Sequence, residues 1–235
     1  MRFPSRLLAA NVWLASILYG VFVALVTLVA LGVAIFGEIT ESAWEKASQI
    51  PRWYALFAGL ALVTEFLPLY VAHGQTRRQF GGQAAVTVVL FAPFLAALLT
   101  VGYLVEAGVY HLVGWDQVLS RSHLFTEPTQ LHLVFLEHLL EFLTWLVVGA
   151  LIGSGFYRWQ AGGVLLLPVG VGLVLLTHGF VGNELRLPVV GHILTTAPAD
   201  SLALAVGVAL ASFLAGLALT WLVIRDIPLR NKISA

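Results

Sequence analysis

Long apolar stretches separated by short polar connections set the pattern of the chain. They run over about residues 11–36, 53–73, 83–110, 131–153, 161–180 and 201–224. Each approaches or exceeds the ~20 residues a helix needs to cross the hydrocarbon core of a bilayer. Inside that core every backbone N–H and C=O must be satisfied within the chain, so stretches of this kind predict helices. The expected fold is all-α: a polytopic membrane protein of about six transmembrane helices. The fifth stretch is the shortest and carries Pro168, which a membrane helix tolerates when neighbours re-satisfy the freed carbonyl.

Three flanking segments depart from this pattern. The first dozen residues alternate basic and apolar character through Arg2, Phe3, Arg6, Leu7 and Leu8. They read as an N-terminal interfacial helix lying in the membrane plane before the first span, or as the start of one plain tilted helix with positive-inside anchors. The apolar run reaches Phe36, too far for the 7–15-residue core of a signal peptide. Residues 37–52, with Glu41, Trp44, Glu45 and Lys46, read as a short polar helix. Residues 181–200 are too polar to span and too apolar for a solvated loop. They read as a short helical segment between spans five and six, re-entrant or interfacial, or as an ordinary loop on the headgroups.

Charge placement orients the spans. With the N-terminus inside, inner segments hold Arg2, Arg6, Arg77, Arg78, Arg158, Arg225, Arg230 and Lys232, and outer segments hold Lys46, Arg52, Arg121 and Arg186. An excess of Lys and Arg marks the cytoplasmic side, so both termini are expected there. Composition agrees with a membrane protein: 60% of residues are hydrophobic and 10% charged, against about 25% charged in soluble domains. Net charge is zero and no basic block is present, so nothing points to nucleic acid. The chain has no cysteine, which excludes disulfides and thiolate metal sites.

Ionisable residues inside spans are the first candidate chemistry. Glu65 lies near the middle of the second span, Glu106 near the outer end of the third, and Glu137, His138 and Glu141 in the outer half of the fourth. A charge at the bilayer centre costs about 2.5–3.5 kcal/mol on insertion scales, so such groups are expected to face the bundle interior or a second subunit. Glu137 and Glu141 share a helix face, and His138 neighbours Glu141. Two close carboxylates in a low dielectric do not both ionise easily, so one is expected to be protonated or paired with histidine. Three readings stand: a substrate or cation pathway, structural hydrogen bonding between helices, or a metal site with His178. The order Glu-His-x-x-Glu does not match the di-iron Glu-x-x-His pattern, and no His-Glu-x-x-His zinc motif occurs.

The second candidate is the connection between spans two and three, His73-Gly74-Gln75-Thr76-Arg77-Arg78-Gln79-Phe80. Gly74 can end one helix, and Thr76 can cap the next with Gln79 as its capping-box partner. The segment reads as helix, tight turn and short cytoplasmic helix, projecting Arg77 and Arg78 beside Phe80. It is either a docking element or a positive-inside turn and no more.

This run follows an apolar helix ending Pro68-Leu69-Tyr70, and it resembles the cytoplasmic loop of bacterial ABC type-2 transporter permeases, those of actinobacteria in particular. The resemblance implies one transmembrane permease domain over residues 1–235, placed in the cell membrane. It implies that Gly74, Gln75, Thr76, Arg77, Arg78, Gln79 and Phe80 form a coupling helix seated on a separate ATP-binding-cassette ATPase subunit. It further implies a second permease subunit, identical or related, and export of a hydrophobic or amphipathic substrate along a pathway that includes Glu65, Glu137, His138 and Glu141. ATP and Mg would belong to the partner ATPase, and no cofactor and no covalent chemistry are expected in this chain, which lacks a Gly-x-x-x-x-Gly-Lys-Ser/Thr phosphate loop. The rivals are an intramembrane metal-dependent enzyme using Glu137, His138 and Glu141, and an accessory structural membrane protein.

Small residues complete the reading. Ala203, Gly207, Ala211 and Ala215 recur every four residues in the sixth span, and Gly149 and Gly153 form a Gly-x-x-x-Gly pair in the fourth. Such stripes let helix backbones approach closely, within one chain or across a dimer seam. Gly153-Ser154-Gly155 reads as a turn. Aromatic residues near span ends, among them Trp13, Trp44, Tyr110 and Trp159, read as an interfacial belt.

Overall fold

The structure is a computed structural model and describes residues 5–36, 39, 41–115, 117–182, 185–187, 191–194 and 201–227. It is built almost entirely of helix: α1 (Ser5–Phe36), α2 (Ala43–Ala47), α3 (Gln49–Ala61), α4 (Leu67–Ala72), α5 (Arg77–Val113), α6 (Leu131–Trp159), α7 (Leu167–Val181) and α8 (Leu202–Ile224). A π-helical turn over Leu62–Phe66 joins α3 to α4, and a 3-10 segment over Gln160–Leu166 joins α6 to α7. Five stretches are long and apolar enough to cross a membrane, the fourth being the 51-residue run Leu131–Val181. That run doubles back. Gly163 lies against the backbone of Gly155 and Phe156, Gly170 against Val148 and Ile152, Thr177 against Thr144, and His178 against Trp145. The partner numbers fall as the chain advances, so α6 and α7 form an antiparallel hairpin.

The central helix is α6. From Leu140 to Gly155 every residue is buried, because α3, α5, α7 and α8 surround it. A helix apolar on all sides is the expected consequence of such a position. Its tightest neighbour is α3, which runs parallel to it. A Cβ on Gly149 would lie 2.0 Å from the Leu56 carbonyl oxygen, and one on Gly59 would lie 2.0 Å from that of Leu146. Gly153 approaches Leu60 in the same way. The Gly-x-x-x-Gly pair therefore serves packing within the chain. The stripe on α8 behaves oppositely: Ala203, Gly207, Ala211 and Ala215 face outward, while Ala205, Ala209, Phe213 and Gly216 pack inward.

Several expectations are corrected. No separate interfacial helix precedes the first span among the described residues, because α1 is one uninterrupted helix of 32 residues. Neither Gly nor Pro interrupts it before Gly20, and Leu7 is buried in the core. Between α7 and α8 the described residues form no helix but a two-stranded antiparallel hairpin, β1 (Leu185–Leu187) with β2 (Gly191–Leu194), in which Arg186 pairs with His192. Gly153-Ser154-Gly155 is helix interior, with the Ser154 hydroxyl donating to the Leu151 carbonyl at 2.7 Å. Trp44 and Tyr110 are buried, whereas Trp13 and Trp159 are exposed.

The π turn has a local cause. Pro68 has no N–H to give to the Thr64 carbonyl, and its ring clashes with that oxygen in regular α geometry. Widening the preceding turn relieves the clash and holds Glu65 on the exposed side of the span.

The α3–α6 contact generates a prediction. Gly149→Leu must displace backbone, so it is expected to lower stability by about 3 kcal/mol. Gly207→Leu, where nothing lies within 4 Å of the added carbon, is expected to change it by less than about 0.5 kcal/mol. Thermal unfolding and size-exclusion profiles in detergent measure both.

Candidate functional site

A buried polar network fills the end of the bundle where α2, the start of α3, the end of α5, the 114–130 loop and the start of α6 meet. It begins at the N-terminus of α2. The Ser42 hydroxyl accepts from the Glu45 N–H at 3.0 Å and donates to Glu106 at 2.6 Å, while the Trp44 N–H donates to the other Glu106 oxygen at 2.8 Å. A carboxylate at a helix N-terminus offsets the unpaired N–H groups and the helix dipole there. Gly102 makes room for the Trp44 ring, whose Nε1–H donates to the Leu99 carbonyl at 3.1 Å.

His123, from the 114–130 loop, carries the network onward. Its Nδ1 lies 2.7 Å from Glu137 and its Nε2 3.1 Å from Glu45. Each ring nitrogen faces a carboxylate, so both act as donors and the ring is an imidazolium. Burial works against that charge, but the Glu137 and Glu45 carboxylates outweigh it and push the His123 pKa up to about 9. Glu137 also accepts from the Leu124 N–H at 2.8 Å, and Glu45 from the Ser120 N–H at 2.8 Å. The loop is thus fastened to both α2 and α6.

One turn further along α6, Glu141 accepts from Arg52 Nε at 2.9 Å, and both side chains are fully buried. His178 Nδ1 stands 3.5 Å from the other Glu141 oxygen, and its Nε2 accepts from Trp145 Nε1 at 3.0 Å. The Trp145 contact fixes the tautomer, placing the proton on the Nδ1 that faces Glu141. His138 Nδ1 donates to the Val134 carbonyl at 2.7 Å. Three buried groups beside this pair, the Arg52 Nη1 and Nη2, the Tyr103 hydroxyl and the His138 Nε2, have no hydrogen-bond partner among the described residues. Three carboxylates, Glu45, Glu137 and Glu141, meet two fixed cations here, Arg52 and the protonated His123, with Arg121 near the Glu45 carbonyl.

The structure brings together Glu106, Glu137, His138, Glu141 and His178, as the sequence grouped or allowed. It separates Glu65, which is exposed and thirteen residues along the same span from Arg52, about 20 Å at 1.5 Å per residue. Sequence reasoning missed Arg52, Glu45 and His123 as members. The charge count places Arg52 only in an outer segment; the available signal is a lone cation at the head of an apolar run. Among the described residues no group of three or more His, Asp or Glu side chains is placed to hold a metal ion. The cation at the centre of the network is the guanidinium itself.

The opposite end of the bundle is basic. Arg77 and Arg78 open α5, Arg158 closes α6 and donates to the Val223 carbonyl at 3.1 Å, and Arg225 closes α8. The 73–76 turn has the expected capping chemistry. Gly74 adopts φ +81°, the Gln79 N–H donates to the Thr76 hydroxyl at 3.2 Å, and the Thr76 N–H donates to the Gln79 side chain at 2.9 Å. Two details of the coupling-helix expectation are corrected. No separate short helix forms, because α5 runs without a break from Arg77. Phe80 is fully buried against Tyr70, with ring centroids 5.7 Å apart, and offers nothing to a partner. The exposed residues are Gly74, Thr76, Arg78 and Gln79, with Gln75 and Arg77 half-buried.

Comparison of the chain with protein-family models, with curated proteins and with solved structures finds no match.

Two predictions follow from the network. Arg52→Met strands the Glu141 charge in the bundle and is expected to cost about 3–5 kcal/mol, whereas the pair Arg52→Met with Glu141→Leu recovers most of it. Detergent melting curves of the single and double variants check this. The His123 linkage has a definite sign. Its folded pKa of about 9 lies above the unfolded value of about 6.5. Its contribution is therefore complete below about pH 6.5 and is lost as pH rises through about 9. Melting temperature is expected to fall across that window, and His123→Gln to flatten that part of the profile.

Proposed function

We propose that the chain is the membrane-spanning permease subunit of an ABC exporter. In this reading the α6–α7 hairpin supplies two passes, giving six in all, with both termini on the cytoplasmic side. The observation that carries the proposal is the arrangement around the 73–76 turn. A rigidly capped turn presents Arg78 and Gln79 at the basic end of the bundle. The six-residue α4 joins it directly to the π turn that holds Glu65. A push on the capped turn would travel along α4 to a widened, exposed point of the span that carries a carboxylate. π turns recur at functional sites, and a carboxylate at mid-span belongs against a pathway or a partner rather than lipid. Clustering of Arg77, Arg78, Arg158 and Arg225 at that end supports its cytoplasmic placement.

The proposed assembly has two such subunits and two ATPase subunits, with ATP and Mg held by the latter. The substrate class is a hydrophobic or amphipathic compound. Within the pathway set, Glu65 is the residue placed to meet a substrate or the second subunit. Glu137, His138 and Glu141 hold the far end of the bundle together. The coupling surface is narrowed to Arg77, Arg78 and Gln79 with the Gly74–Thr76 turn.

The test is purification of the tagged chain from its native membranes in mild detergent. An ATP-hydrolysing chain is expected to co-purify. Arg77→Glu with Arg78→Glu is expected to weaken that association by about 30-fold or more, the loss for an interfacial charge left without its partner. Single cysteines at His73 and Glu127, in a chain that has none of its own, report whether the variant keeps its orientation. A wild-type preparation without an ATPase, or a correctly oriented variant that binds as well as wild type, would overturn the proposal.

A further inference from the structure

The first helix leaves most of its surface uncovered. Its inward side is held at a few points: Tyr19 donates to the Leu98 carbonyl at 2.7 Å, and Tyr19 and Phe22 pack on the Trp44 ring with centroids 6.1 and 5.1 Å away. Beside these contacts a cleft of about 640 Å³ separates α1 from α2, α3 and α5. Leu18, Val26 and Val33 line one wall, and Ile50, Tyr54 and Leu99 line the other. The charged residues on its lining are Glu41 and Lys46, an ion pair at 2.8 Å with both side chains solvent-accessible.

Shape and chemistry together select an occupant. The lining residues of α1 run from Ala15 to Val33, about 27 Å at 1.5 Å per residue, close to the ~30 Å of the hydrocarbon core. The cleft is therefore a slot parallel to the helix axis, and its volume lies within the roughly 300–1,000 Å³ of ligand pockets. Carbon atoms pack at about 4 Å, so a slot of this length and volume has room for an extended hydrocarbon chain. Nearly the whole wall is aliphatic or aromatic, which suits a chain without polar groups. Where the slot meets the headgroup region, opposite the Arg77–Arg78 end, Lys46 and Glu41 offer one charge of each sign.

We propose that this slot binds one acyl chain of a zwitterionic phospholipid, whose phosphate meets Lys46 and whose ammonium group meets Glu41. The site stands apart from the transport reading, since it depends only on how α1 lies against the bundle.

The experiment uses the full chain in phosphatidylcholine vesicles carrying a trace of phosphatidylcholine with a photoactivatable diazirine on one acyl chain. Adducts are mapped by peptide mass spectrometry. They are expected to concentrate on Leu18–Val33 and Ile50–Tyr54, above the labelling of Leu214 and Leu222, which are exposed on α8 outside the slot. Filling the slot with Val26→Trp, or separately with Ala30→Trp, is expected to lower slot labelling about tenfold, as displacement of two buried methylene groups would, without changing α8. Lys46→Glu is expected to lower slot labelling while leaving the melting temperature unchanged. Even labelling of α1 and α8, or undiminished slot labelling in either filled variant or in Lys46→Glu, would overturn the proposal.

Discussion

A charge taken into an apolar bundle has to bring its compensation with it, and the Arg52–Glu141 pair is where this chain meets that requirement most strictly. Neither side chain touches solvent. Their pairing fixes α3 against α6 at one height, and the glycines further along, Gly59 and Gly149, can then bring the two backbones into contact. Such a pair contributes modest net stability relative to an apolar pair of the same shape, but it penalises any arrangement that separates the partners. Around it, Glu137 and His123 hold the 114–130 loop, and Glu106 holds the short helix α2. One end of the bundle is a cross-linked polar cap, and the other is apolar packing with a basic rim.

That asymmetry organises the molecule. At the capped end, helix starts and ends are pinned by directed contacts that tolerate little displacement. At the basic end, Phe80, Tyr70, Leu67 and Ile227 make a smaller apolar cluster, and a cavity of about 460 Å³ lies beside Arg78, Gly81 and Trp221.

Much of this was legible in the sequence. Apolar run length located every long helix, since no other signal is as strong in a chain bound for lipid. The Thr76–Gln79 capping box and the Gly74 turn were readable because capping chemistry is local. Membership of His178 beside Glu141 was also visible as a possibility. Arg52, Glu45 and His123 were not: Arg52 and Glu141 lie 89 residues apart, Glu45 and His123 78, and even His123 and Glu137 are separated by 14 across an irregular loop, so none of these pairings leaves a periodic trace. Burial of Phe80 was missed for a similar reason: the turn looked self-contained, and nothing nearby announced that Tyr70 folds back onto it. The strand pair at Leu185–Leu187 and Gly191–Leu194 escaped because a short run of mixed residues between two spans carries no period of its own.

The widened turn at Leu62–Phe66 also has a meaning for phase. A π turn carries an extra residue, and each α residue advances the helix by about 100°. The segments before and after it are therefore out of step by that angle. Excising one residue there would restore a single phase and turn the segment that leads to the capped turn by about 100° around its own helix axis. Migration of the bulge by one position would do the same to whichever side chain it passed, without lengthening the span or opening the cap. Pro68 holds the bulge in its place, because a widened turn moved in either direction would no longer relieve the clash between the proline ring and the Thr64 carbonyl.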